Sequence, residues 1–200
     1  DDALFESVSG FTCTGSTILS NFDSIPRGVL FFRSMIQWFG GMGLIVLAVA
    51  ILPALGIGGL DLIASEAPGP TADRLSLRVR DTARRLWLLY GGVTLLMAAA
   101  LLVVGMSIFD AVTHAFTTVA TGGYSPYGDS IAHFDSFAVE TVLIVGMLYC
   151  GANFSTHWHA VTGGLGAYRR VSEIRWYLWL ILSAFGLLVW VNTGALEWLQ

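Results

Sequence analysis

The sequence predicts an all-α membrane protein whose chain repeats one pattern: a span, a short helix, a turn rich in hydroxyls and glycine, and a second span. Three observations predict it. Of 200 residues, 55% are hydrophobic and only 12% charged, a composition that excludes a water-soluble enzyme. The charges are bunched, leaving uncharged windows of 27 residues between Arg33 and Asp61, 24 between Arg85 and Asp110, 28 between Glu140 and Arg169, and 21 between Arg175 and Glu197. Each exceeds the ~20 residues that a helix needs to cross a ~30 Å hydrocarbon layer, so about four transmembrane helices are expected. The third observation is a repeat: Asp2, Ala3 and Gly15 recur as Asp110, Ala111 and Gly123, an offset of 108, and Phe22-Asp23-Ser24 recurs as Phe134-Asp135-Ser136. Ordered duplication of this kind is common in transport proteins.

Taken in order, residues 1–60 hold a short helix, a turn and a span. Asp2-Ala3-Leu4-Phe5-Glu6-Ser7-Val8 reads as a helix opened by Asp and broken at Gly10, followed by Thr12-Cys13-Thr14-Gly15-Ser16-Thr17. Residues 61–85 form a polar connection. Residues 86–157 form a complete unit, with spans at about 86–107 and 137–156 and a short helix and turn at 109–124 between them. Residues 158–175 are a second connection, and 176–200 begin a third unit. Gly105, inside a charge-free window, reads as a glycine within a membrane helix, where serine would be tolerated. The chain opens at Asp1 with neither methionine nor a basic leader, which reads as an internal piece of something longer.

The basic residues set the orientation. All ten are Arg; 61–85 carries Arg74, Arg78, Arg80, Arg84 and Arg85, while 169–175 carries Arg169, Arg170 and Arg175. The connection at 110–140 carries none. By the positive-inside rule the first two face the cytoplasm. Asp1, Asp2, Glu6, Asp23, Asp110, Asp129, Asp135 and Glu140 then lie outside or near the outer boundary, where acidic groups gather cations. A net charge of −4 gives no reason to expect nucleic acid as a partner.

A Thr/Gly turn at membrane depth survives only if it is buried in protein or lines water. Its carbonyls then need something to coordinate, and a cation is the natural partner. A helix pointing its carboxyl end inward adds partial negative charge, and carbonyls of a glycine-bearing strand can replace an ion's water shell. Gly15 and Gly123 supply backbone angles that side chains disfavour. The alternative is that 1–33 and 110–136 are ordinary external loops.

Longer motifs carry a resemblance. Phe5-Glu6-Ser7-Val8-Ser9-Gly10-Phe11-Thr12-Cys13-Thr14-Gly15-Ser16, Gln37-Trp38-Phe39-Gly40-Gly41-Met42-Gly43, Glu66-Ala67-Pro68-Gly69-Pro70 and His114-Ala115-Phe116-Thr117-Thr118-Val119-Ala120-Thr121-Gly122-Gly123-Tyr124-Ser125 occur in order. With Asn153-Phe154 and His157 at the end of the next span, they resemble the Trk-type potassium uptake proteins of the bacterial inner membrane. The resemblance implies a potassium-channel-like pore of four span–pore-helix–span repeats, of which this chain holds two re-entrant pore segments. Thr12, Cys13, Thr14 and Gly15, with Ala120, Thr121, Gly122 and Gly123, would present filter carbonyls to potassium, the transported ligand. No covalent cofactor and no catalytic residue are implied. The full protein would be a homodimer in membrane lipid, seated on a cytoplasmic ring that binds nucleotide, with the Arg-rich 74–85 region a candidate contact. Cys13 stands where such proteins usually have Thr, which bears on the hydrogen bonds behind the filter. Serine at the filter position would favour sodium or mixed-cation transport; Gly15 and Gly123 disfavour it.

Other readings of single residues are weaker. His157 and His159, two apart on a helix, point to different faces and make a poor metal pair. Ser9, Ser16 or Ser125 with His114 or His133 would suit an intramembrane hydrolase, but no Gly-x-Ser-x-Gly surrounds any of these serines. Glu6 reads either as an acceptor of hydrogen bonds that hold the filter or as an exposed acid near the mouth. Cys13 and Cys150 form no disulfide framework, and Trp38, Trp176 and Trp198 read as interfacial anchors.

Overall fold

A computed structural model describes residues 1–46, 71–164 and 166–197; no strand occurs among them. The helices are α1 (Asp2–Phe11), α2 (Arg27–Val46), α3 (Thr71–Val103), α4 (Ile108–Val119), α5 (Phe137–Cys150), α6 (Phe154–Gly163), α7 (Gly166–Arg170) and α8 (Ser172–Glu197). The chain divides into two compact units, Asp1–Phe154 and Ser155–Gln200. Among the described residues, three helices are long and apolar enough to cross a membrane, at Arg27–Ile45, Asp81–Val103 and Ser172–Val191, or four if α5 and α6 count as one broken span. The remainder of the first expected span, with Glu66-Ala67-Pro68-Gly69-Pro70, lies outside the described residues.

In the first unit, α3 runs 33 residues, or about 50 Å at the helical rise, so its first turns extend beyond a bilayer core. It starts well inside the stretch read as a connection, because arginine marks contact with water without disfavouring helix. At its other end the N–H of Gly105 donates to Leu102 O and that of Met106 to Leu101 O, with Gly105 at φ +100°. This is a glycine helix stop, which corrects the reading of Gly105 as a residue within the span. Ser107 then caps α4: its Oγ accepts from the Asp110 N–H at 3.2 Å and donates to Asp110 Oδ2 at 2.6 Å. The chain therefore reverses within a few residues, and α4 packs back along α3.

The core of this unit joins Met42 of α2, Leu86, Tyr90, Met97 and Leu101 of α3, Ala111, Ala115 and Val119 of α4, and Val139 and Leu143 of α5. Trp38 is its aromatic hub, with Trp87, Tyr90 and Phe116 rings at centroid distances of 5.6, 5.4 and 5.4 Å. Its indole N–H donates to Thr94 Oγ1 at 2.9 Å, and the Tyr90 hydroxyl donates to the Trp38 carbonyl at 3.0 Å. Buried aromatic polar atoms thus find partners, as a low-dielectric interior requires. Trp38, read from the sequence as an interfacial anchor, is partly buried and packs against this core.

The span expected over 137–156 stops early: α5 ends at Cys150, with Gly151 at its C-cap, and α6 starts at Phe154. In the second unit, His157 Nδ1 lies 2.8 Å from the Tyr168 hydroxyl. α8 exposes Trp176, Trp179, Leu182, Phe185, Leu188 and Trp190, large apolar groups spread around its circumference. A helix apolar on all sides is a membrane span.

Candidate functional site

The site is built where α1 and α4 end. Thr12 N–H donates to Val8 O, Cys13 N–H to Gly10 O, and both Thr14 and Gly15 N–H reach Ser9 O. At an offset of 108, Ala120 donates to Phe116 O, Thr121 to Thr118 O, and Gly122 and Gly123 to Thr117 O. The dihedrals repeat as well: Cys13 has φ 56° and Gly15 75°, while Thr121 has 55° and Gly123 77°. Left-handed backbone is natural for glycine but uncommon for cysteine and an outlier for β-branched threonine. Adopted twice, at matched positions, it is a built conformation with positive φ at every second residue.

The two turns meet. A Cβ added at Gly15 would overlap the Gly122 carbonyl oxygen, and one added at Gly122 would overlap the side chain of Gln37. Gln37, on α2, is fully buried; its Oε1 accepts from Tyr124 N–H at 3.1 Å, and its carbonyl accepts from Cys13 Sγ at 3.4 Å. Two glycines let α2 approach this closely. A Cβ at Gly40 would overlap the Phe11 carbonyl at the end of α1, and one at Gly41 would stand 2.8 Å from the Tyr90 hydroxyl and 3.0 Å from Ala120 Cα.

Outside the turns, a polar latch holds the chain. Glu6 Oε1 accepts from Thr17 Oγ1 at 2.6 Å and from Ile18 N–H at 2.8 Å, and Arg33 Nε donates to Glu6 Oε2 at 2.7 Å. Burial raises the Glu6 pKa, but the hydrogen bonds from Thr17, Arg33 and Ile18 outweigh it and hold the carboxyl below its ordinary value. Arg33 also donates to Ser125 O at 3.2 Å and stacks 3.6 Å above the Tyr124 ring. The Tyr124 hydroxyl donates to the carbonyls of Glu6 at 3.1 Å and Ser16 at 3.2 Å. In the second copy, His114 takes the place of Glu6 and Ser125 that of Thr17. His114 Nδ1 lies 2.8 Å from the Asp110 carbonyl, which can only accept, so in the neutral ring Nε2 accepts from Ser125 Oγ at 3.3 Å. This Ser–His pair is buried and repeats the Glu6–Thr17 latch, so its position explains it without a nucleophile.

Gly15, Thr17, Arg33, Gly123, Tyr124 and Ser125 are among the residues around a cavity of about 340 Å³ that opens at the meeting of the two turns. Carbonyls without helical partners, set beside glycines, are groups of the kind that coordinate a dehydrated cation. Among the described residues no group of three or more His, Cys, Asp or Glu side chains could hold a metal ion.

Known proteins are similar to this chain in sequence and fold. The chain matches the TrkH family, described as cation transport protein, over residues 1–191. It belongs to that family. It is 47% identical over 179 residues to the Trk system potassium uptake protein TrkH of Escherichia coli K12, covering 88% of this chain and 37% of that protein. It is 42% identical over 185 residues to TrkG of the same organism, covering 91% and 38%. The crystal structure of the potassium transporter TrkH from Vibrio parahaemolyticus superposes with a TM-score of 0.79 at 38% identity, covering 96% of this chain and 39% of that one. The chain therefore spans little more than a third of the length of these relatives.

In this TrkH-family chain, all eight residues expected at the filter fall in the two matched turns, and Gly15 and Gly122 bring the turns into contact. Cys13 uses its thiol for the bond behind the turn that a threonine hydroxyl could make. Three participants escaped the reading of the sequence: Gln37, Arg33 and Tyr124 all act across the fold on residues more than twenty positions away. The available signal was that Arg33 and Gln37 are polar, one helical turn apart, in a helix otherwise suited to lipid.

Proposed function

We propose that this chain forms part of a pore that carries potassium into the cell across the bacterial inner membrane. Thr12, Cys13, Thr14 and Gly15 and their counterparts Ala120, Thr121, Gly122 and Gly123 present carbonyls to the dehydrated ion. The observation that carries the reading is the pair of turns with the same hydrogen bonds and the same positive φ angles at an offset of 108. The family membership and the names of the relatives support potassium as the ion. Potassium is the transported ligand and no bond is made or broken, so the protein is not an enzyme. Residues 1–60 and 86–157 are then pore units, 61–85 and 158–175 face the cytoplasm, and 176–200 open a further unit. The whole protein pairs as a homodimer and rests on a nucleotide-binding cytoplasmic ring, with the arginines of 74–85 at that contact.

The test is ion competition during uptake by the intact transporter that contains this segment. Gly15→Ser and Gly123→Ser should lower potassium uptake and weaken its preference over sodium, with Gly15→Ser more severe because its Cβ meets the Gly122 carbonyl while Gly123 faces open space. Gly92→Ser serves as control, since a side chain there meets nothing within 4 Å. Unchanged selectivity in both filter variants at normal abundance would restore the external-loop reading.

A further inference from the structure

We propose that Gln37 is a positioning residue that fixes the spacing of the two turns against each other, and with it the ion preference of the filter. The inference rests on the filter reading given above. Four observations converge on one residue, three through its side chain and one through its backbone. Gln37 is fully buried. Its side-chain Oε1 accepts the Tyr124 N–H at 3.1 Å, immediately after the second turn. Its backbone carbonyl accepts Cys13 Sγ at 3.4 Å, inside the first turn, and anchors that turn to the same point of α2. Its Cδ and Nε2 fill the space that a Cβ at Gly122 would need, and Nε2 lies 3.9 Å from the corresponding point at Gly15.

The amide orientation follows from chemistry. The Tyr124 N–H can only donate, so the amide oxygen must face it, and the NH₂ is thereby turned toward Gly15 and Gly122. That nitrogen has no hydrogen-bond partner among the described residues. An unpaired donor in a buried site is costly, and buried polar groups without partners mark places where something other than packing sets the residue. An apolar side chain of the same size would fill the site at no such cost. What it could not do is hold Tyr124 N–H, and through it the carbonyl of Gly123, at a fixed distance from the first turn.

The experiment compares three variants in the intact transporter by sodium competition with potassium uptake, alongside membrane abundance. Gln37→Met keeps the volume and removes the acceptor; the potassium preference should fall about tenfold, the cost of one unanswered buried N–H. Gln37→Asn keeps a neutral amide but is one methylene shorter, so its oxygen falls short of Tyr124 and the preference should fall in the same direction. Ser34→Ala removes a buried hydroxyl bonded to Leu30 O of the same helix and should leave the preference unchanged. Wild-type preference in Gln37→Met overturns the proposal. Should Gln37→Met fail to accumulate, Gln37→Asn decides, and wild-type preference there overturns the proposal. Gly15→Ser run in parallel separates the two ideas. If it alters selectivity while Gln37→Met does not, only the role of Gln37 fails; if it too is silent, the filter reading fails and this inference with it.

Discussion

Arg33 places a fixed positive charge beside the proposed cation site, and Glu6 pairs with it. Their side chains are 8% and 13% exposed, so neither charge is well hydrated and removal of one partner leaves the other unpaired. Breaking such a pair costs about 3–5 kcal/mol, whereas replacing both partners is far cheaper. Glu6→Gln should therefore lower the thermal stability of the intact transporter and weaken cation uptake, and Arg33→Gln in the same protein should recover part of both. A double-mutant cycle read by thermal unfolding checks this, and purely additive losses would refute it. The pH dependence has a definite sign. The folded pKa of Glu6 is depressed, so its contribution is present above the ordinary glutamate value of ~4.3 and is lost as pH falls through the depressed one.

At the scale of elements, α2 does the joining: its Gly40 and Gly41 lie against the ends of α1 and α4 while Gln37 and Arg33 reach the turns and the residues after them. Gly43, two positions on, meets nothing within 4 Å. Alanine favours helix over glycine by about 1 kcal/mol, so Gly43→Ala should be neutral or stabilising in thermal unfolding. Gly40→Ala drives a methyl into the Phe11 carbonyl and should cost about 1–3 kcal/mol. Equal effects of the two would mean that α2 does not need to lie so close. The glycine-rich motif was visible in the sequence, but its cause was not, because Phe11 and Ala120 meet it only in three dimensions. The turns themselves were legible, since Asp2 and Asp110 fix one register and both glycines fall into it. Helix ends were harder. Apolarity continues through Gly151, where α5 stops, and arginines at 74–85 signalled water while the chain there was already helical from Thr71.

For the whole molecule, the arginine asymmetry and the reversal between α3 and α4 make one joint claim about sidedness. Cysteines introduced at Ser76 and Ala167 should react only with reagents that reach the cytoplasm, and one at Ser130 only from outside. Reaction of Ser76 and Ser130 positions from the same side would end the proposed topology. The structure supports the part that physics constrains most: α3 ends in a glycine stop at Gly105, and the irregular backbone of the two turns is packed against α2.

The matched latches carry a consequence for inheritance. Glu6 with Thr17 and His114 with Ser125 occupy equivalent places, one charged and one neutral, yet both hold a turn with the same dihedrals. In a ring assembled from copies of a single gene product, any codon change appears at every position at once, and a charge introduced beside the ion would be multiplied around the axis. Here the duplicates are fused in one reading frame, so a change is felt at one wall only. Each copy can therefore carry its own polar pair behind the same turn, an acid in one and an imidazole in the other.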